Sequence, residues 1–201
     1  MRARTAVLIS GRGSNLKALI DACADPEFPA GISLVISNIA DAGGLDHARK
    51  ANIATKVISH KDYKSREEFD RAADAELRKA HIEIVCLAGF MRILSDWFAG
   101  AWQGRIINIH PSLLPAYKGT NVHQRMLDAG ERAAGCTVHF VVPELDSGPI
   151  IAQARVPVLP GDDADALAAR ILVEEHKLYP AALKMLADGK VKLENGKAVF
   201  K

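Results

Sequence analysis

Short apolar runs of strand length alternate with amphipathic stretches of helix length up to about residue 110, and this alternation limits the fold more than any single motif. Residues 6–10 read as a buried strand that ends at Gly11. Ser14 or Asn15 then opens a helix through Leu16, Leu19 and Ile20 to about Ala24, and Pro26 stops it. Residues 32–37 and 55–58 read as strands two and three, with helical spacing over 41–51 between them. From Ser65 to Ala80, the residues Phe69, Ala72, Ala73, Leu77 and Ala80 form an apolar stripe at helical period, with charges elsewhere. Residues 82–88 and 105–109 follow as strands four and five. Strands separated by helices, and β-branched runs without a polar face, argue for a parallel sheet covered on both sides.

The character changes after residue 110. Pro111-Ser112-Leu113-Leu114-Pro115 can be neither helix nor inner strand and reads as a loop. Residues 137–142 and 149–157 read as further strands, and Asp162 or Asp163 caps a long helix to about Leu186. Asn195-Gly196 between short alternating runs predicts a two-residue hairpin over 191–200. The expected fold class is α/β, a doubly wound, mostly parallel, Rossmann-like sheet with added strands at the C-terminal end, in one domain over residues 1–201.

Composition narrows the function classes. Of 201 residues, 49% are apolar and 25% charged, which is globular composition and not disorder. A formal charge of +2 gives no broad basic surface, so no nucleic-acid partner is expected, although a local phosphate site remains open. The odd set of cysteines, Cys23, Cys86 and Cys136, reads as buried free thiols suited to a reducing cytosol. No signal peptide and no membrane-length apolar run is seen, so a cytoplasmic protein without a membrane partner is expected.

Two places carry candidate chemistry. Gly11-Arg12-Gly13-Ser14-Asn15 lies where strand one gives way to a helix; glycine lets backbone approach a ligand, and free N–H groups of the helix start favour an anion. A dinucleotide fingerprint would want glycine at Leu16 and an acid ending strand two, where this chain has Asn38, so a single phosphate or a plain tight turn remains. In Ile106-Ile107-Asn108-Ile109-His110-Pro111, period two puts Asn108 and His110 on one face near the strand's carboxyl end, where ligands bind in open α/β sheets. A buried pair satisfied by backbone is the alternative there. Asp146, in the turn-rich Pro143-Glu144-Leu145-Asp146-Ser147-Gly148-Pro149, could equally cap a turn, and spacing alone cannot bring it to His110.

Taken with Leu87-Ala88-Gly89-Phe90-Met91-Arg92-Ile93-Leu94 and Asn108-Ile109-His110-Pro111-Ser112-Leu113-Leu114-Pro115, the first turn resembles that of the folate-dependent glycinamide ribonucleotide formyltransferases. Glu144-Leu145-Asp146-Ser147-Gly148-Pro149-Ile150-Ile151 is similar to their later motif, and the resemblance runs from about Val7 to Pro180. It implies Asn108, His110 and Asp146 as the catalytic trio, and Gly13, Ser14 and Asn15 as the phosphate grip, with Glu175 on the same substrate. Arg66, Met91, Arg92, Ile93, Leu94, Asn108, Val142, Pro143, Glu144, Leu145 and Asp146 would bind the folate. The implied co-substrate is 10-formyltetrahydrofolate, with glycinamide ribonucleotide as acceptor in purine biosynthesis. The run Ala116-Tyr117-Lys118-Gly119-Thr120-Asn121-Val122-His123 departs from the pattern, which often has a Pro-Gly pair and a further histidine there.

That trio implies a chemistry. Asn108 and a protonated His110 would donate to the oxyanion formed when an amine attacks a formamide carbon, and Asp146 would favour the imidazolium and pass protons through a water. Ser112 lacks an activating partner, and His110, His123, His139 and His176 lack zinc-site spacing, so neither a covalent intermediate nor a metal is expected; His139 and His176 read as core or surface residues. A homodimer stays open. Rival readings are a methionyl-tRNA formyltransferase, expected to add a C-terminal RNA-binding domain, a formyltetrahydrofolate deformylase, expected to add an N-terminal regulatory domain, and a non-enzymatic nucleotide-binding module.

Overall fold

Alternate residues of β1 (Ala3–Ile9) are apolar on both sides: Val7 and Ile9 pack on one face, Ala6 and Leu8 on the other, all fully buried. Such a strand has no face for water, so helices must cover both sides. A computed structural model describes residues 2–201 and shows that arrangement. β1 is followed by α1 (Ser14–Cys23), β2 (Ala30–Ser37), α2 (Gly44–Lys50), β3 (Ala54–Val57), α3 (Arg66–Lys79), β4 (Ile84–Leu87), α4 (Asp96–Ala101) and β5 (Ile106–His110). Then come α5 (Val122–Asp128), β6 (Ala133–Phe140), β7 (Ile150–Pro157), α6 (Ala164–Ala187) and the hairpin β8 (Val191–Glu194) with β9 (Lys197–Phe200).

The seven-stranded sheet has the order β3-β2-β1-β4-β5-β6-β7. Pairings up to β5 are parallel, while β5–β6 and β6–β7 are antiparallel. Leu16 and Leu19 of α1, with Leu167, Ile171 and Tyr179 of α6, cover one face; Phe69 and Leu77 of α3, with Phe98 of α4, cover the other. The Tyr179 hydroxyl, fully buried, shares its proton between the carbonyls of Leu87 (2.9 Å) and Ile107 (3.1 Å) and so ties α6 to β4 and β5. Winding order reverses between β1 and β4, which opens a crevice at the carboxyl ends of the strands.

Several bounds differ from the sequence reading. β6 starts early, at Ala133, where Gly135 lets it run close beside β7 (a Cβ there would lie 2.0 Å from the Ala154 carbonyl oxygen), and it stops at Phe140. The helical spacing over 41–51 yields a helix only from Gly44, and α4 and α5, of six and seven residues, were not expected at all. The hairpin falls as expected, with Asn195 and Gly196 both at positive φ (49° and 73°). Among the described residues no helix is long and apolar enough to cross a membrane.

Candidate active site

Register builds the centre of the site. Antiparallel pairing of β5 with β6 sets His139 directly across from Asn108, and Thr137 across from His110. His139 is buried, and its Nδ1–H donates to the Phe140 carbonyl at 2.7 Å. That tautomer leaves Nε2 bare, to accept from the Asn108 amide at 3.2 Å. Burial holds the His139 pKa below its ordinary value, against the opposing pull of the Phe140 bond and the Asp146 charge, so the ring is neutral. One Asn108 N–H is therefore spoken for, and the second is free to point elsewhere.

His110 is also buried, with Nε2 2.9 Å from the Tyr117 carbonyl and Nδ1 3.4 Å from Asp146 Oδ2. A carbonyl only accepts, so Nε2 carries a proton. The Asp146 carboxylate, 8% exposed, takes an N–H from Gly119 at 2.9 Å and lies 3.7 Å from His139 Nε2 through its other oxygen. Asp146 sits at φ 48°, in a turn pressed hard against β6: a Cβ on Gly148 would come within 1.7 Å of the Phe140 carbonyl oxygen. That close approach, available only to glycine, brings the 144–147 turn within reach of His110.

The loop after β5 closes over the pair. Ser112 is fully buried and its hydroxyl donates to the Ala116 carbonyl at 2.6 Å, so it fastens the loop. Thr137 donates to the Ser112 carbonyl at 2.7 Å and accepts from Leu114 N–H at 3.1 Å. Tyr117, Gly119 and Asn121 all adopt positive φ, which turns the Tyr117 carbonyl and the Gly119 amide inward. Lys118 then bonds Ser147, and Arg125 donates to the Lys118 carbonyl at 2.7 Å.

At the first turn, Gly13 caps α1 at φ 75° with no side-chain cap, so the first-turn N–H groups meet no capping side chain. A Cβ on Gly13 would lie 2.5 Å from the Gly44 Cα, so close packing on α2 also requires glycine there. Asn15 Nδ2 donates to Glu175 Oε2 at 2.7 Å, while Asn15 Oδ1 is buried without a partner. Burial pushes the Glu175 carboxyl pKa up, countered in part by the Asn15 bond.

A cavity of about 630 Å³ joins these parts. Asn15, Glu175, Asn108, His110 and Asp146 line it, as do Met91, Arg92, Ile93, Leu94, Val142, Pro143, Glu144 and Leu145. Three expected residues lie outside its lining: Gly13, Ser14 and Arg66. Ser14 faces a separate groove with His47 and His176, and Arg66 opens α3 near the buried Asp70. His139 and His123 line the cavity although the sequence reading gave them no part in it. The available signal for His139 was its place on the polar face of β6, but only the register shows that it meets Asn108.

Fold and site define a class, and the comparisons agree. The family model described as formyl transferase matches residues 3–183, and the chain belongs to that family of enzymes. Within it, the chain is 47% identical over 192 residues to the phosphoribosylglycinamide formyltransferase of Escherichia coli K12, covering 96% of this chain and 91% of that one. It is 55% identical over 197 residues to the human trifunctional purine biosynthetic protein adenosine-3, covering 98% of this chain. The chain spans only 20% of the length of that relative. The solved structure of glycinamide ribonucleotide transformylase 1 from Symbiobacterium toebii superposes with a TM-score of 0.96 at 44% identity, covering 99% of this chain and 94% of that one.

Proposed function

We propose that residues 1–201 form one catalytic domain that transfers the formyl group of 10-formyltetrahydrofolate to the amino group of glycinamide ribonucleotide, in the cytoplasm and in the service of purine biosynthesis. The observation that carries this reading is the single cavity in which an acceptor end, Asn15 with Glu175, continues into Asn108, His110 and Asp146 and then into an apolar slot. The names of the relatives support glycinamide ribonucleotide as acceptor and a formyl group as what is moved. Cys23, Cys86 and Cys136 are free, the state that a reducing compartment maintains.

Each part has a role. The uncapped N–H groups at Gly13, Ser14 and Asn15 suit the ribonucleotide phosphate. The unpartnered Asn15 oxygen and the Glu175 carboxylate are acceptors, so they suit hydroxyl groups of the sugar. Met91, Ile93, Leu94, Val142 and Leu145 offer the slot for a flat folate ring, with Arg92 on the same lining serving the carrier; Arg66, outside that lining, would reach the carrier only beyond the slot.

Attack of the amine nitrogen on the formyl carbon forms a tetrahedral oxyanion. Asn108, its amide oriented by neutral His139, donates its second N–H to that oxygen. The His110 Nε2 proton now bonds a neutral carbonyl, and an oxyanion is the stronger acceptor. The Asp146 carboxylate, 3.4 Å from His110 Nδ1, faces the other edge of the ring and helps hold its orientation. Asp146 then passes the proton lost by the amine, through a water, to the departing folate nitrogen. Nothing in these steps calls for a metal or a covalent enzyme intermediate.

The test is turnover of purified protein with 10-formyltetrahydrofolate, with and without glycinamide ribonucleotide. Deformylated folate should appear only with the ribonucleotide; equal release without it would overturn the transferase reading in favour of a hydrolase.

A further inference from the structure

Three residues outside the cavity hold one of its walls. Ser10 follows β1 and binds the loop after β4 twice: its N–H donates to the Gly89 carbonyl at 3.2 Å, and its Oγ accepts the Met91 N–H at 2.8 Å. The same hydroxyl donates to Asn38 Oδ1 at 2.6 Å. Asn38, at the end of β2 and almost fully buried, places Nδ2 3.2 Å from His60 Nδ1. His60 is half-buried and follows β3, so the chain of bonds crosses the carboxyl ends of β1, β2 and β3 to reach the loop.

That loop has a physical problem to solve. Met91 is 71% exposed and Ile93 48% exposed, so two apolar side chains stand in water between the buried anchors Phe90 and Leu94. Burial cannot fix their backbone, and the loop enters through Gly89 at φ 69°, a conformation that favours glycine. A hydrogen-bonded brace can fix it. Asn38 occupies the place where a dinucleotide-binding chain carries an acid; here its oxygen accepts from Ser10 while its nitrogen donates toward His60 Nδ1.

We infer that Ser10, Asn38 and His60 form a positioning relay that sets the Met91 backbone, and with it the apolar slot, for the folate. Ser10 is its positioning residue. The inference rests on the reading of that slot as the folate site.

The experiment is a comparison of two KM values, one for 10-formyltetrahydrofolate and one for glycinamide ribonucleotide, with calorimetric binding of tetrahydrofolate to the same proteins. Ser10→Ala loses the bonds to both Met91 and Asn38 and should raise the folate KM about tenfold, the worth of the bond to the loop, and the ribonucleotide KM by less than about threefold. Ser10→Thr keeps the hydroxyl and should restore most of the folate affinity. The half-buried end supplies a milder check that does not endanger folding: His60→Leu should weaken folate binding, and His60→Gln, which still offers an acceptor to Asn38, should weaken it less. Wild type that fails to bind tetrahydrofolate would sink the folate reading itself. Wild type that binds while Ser10→Ala and His60→Leu bind equally well would overturn the relay alone, as would both KM values rising together.

Discussion

The two ends of the cavity are built on opposite plans. At the β5 end nearly every polar group already has a partner: His110 lies between the Tyr117 carbonyl and Asp146, and Asn108 is held by His139. At the α1 end polar groups are left over: first-turn N–H groups without a side-chain cap, a buried Asn15 oxygen without a partner, and a Glu175 carboxylate whose pKa burial raises. A pre-bonded end holds its side chains in place before charge develops, which suits chemistry. An end with unmet donors and acceptors gains most when a ligand arrives, which suits binding. The contrast predicts that substitutions at one end change kcat and those at the other change KM.

The largest effect tests the pre-bonded end. Asp146→Asn keeps the shape but removes the charge facing His110 and the route for the proton. Turnover should fall about 10²–10⁴-fold in steady-state kinetics with both substrates saturating. Loss of less than threefold would reduce Asp146 to a turn residue and the trio to a pair.

Asn15→Ala probes the other end. It should raise KM for the ribonucleotide about 10–100-fold, the worth of a bond to a charged or strongly polar group, with a smaller change in kcat. A rise in the folate KM instead would show that this end serves the other ligand.

His139→Leu sharpens the comparison, because His139 touches no substrate in this account. Asn108 would lose its acceptor, and kcat should fall about tenfold while KM for the ribonucleotide stays within about threefold. Parallel changes in both would make His139 a folding residue only.

The smallest effect is on stability. The folded pKa of Glu175 is raised by burial, so between the unfolded and folded values the folded state holds the extra proton. Stability therefore falls as pH rises through that window and stays reduced above it. Glu175→Gln removes the cost and should raise the melting temperature at neutral pH by a few degrees, about 1 kcal/mol or less. The gain should vanish at a pH below the unfolded carboxyl range, while ribonucleotide binding weakens. A variant that melts lower at neutral pH would contradict the cost assigned to this carboxylate.

What could be read from the chain divides along similar lines. β1, β2, β4 and β5 were legible because burial on both faces leaves continuous apolar runs, and Asn108 and His110 stood out as polar residues interrupting one. α4 and α5 were not, since six or seven residues give too few turns for a period to show. The meeting of Asp146 with His110 depends on how tightly the Gly148 turn packs on β6, which is a tertiary fact. His139 escaped for the same reason: its partner is set by strand register, and a register one residue away would turn it from Asn108. Gly13 could be read for a ligand, but its close contact with Gly44 is a second reason for the glycine that only the folded chain shows.

The division of labour is tested most directly by measuring, for Asn108→Ala, both the ribonucleotide dissociation constant by calorimetry and kcat with both substrates. The account predicts a dissociation constant within about threefold of wild type and turnover reduced about 10²–10³-fold, the range for an oxyanion donor. Turnover above a third of wild type, or a dissociation constant that rises in step with the loss of rate, would contradict it.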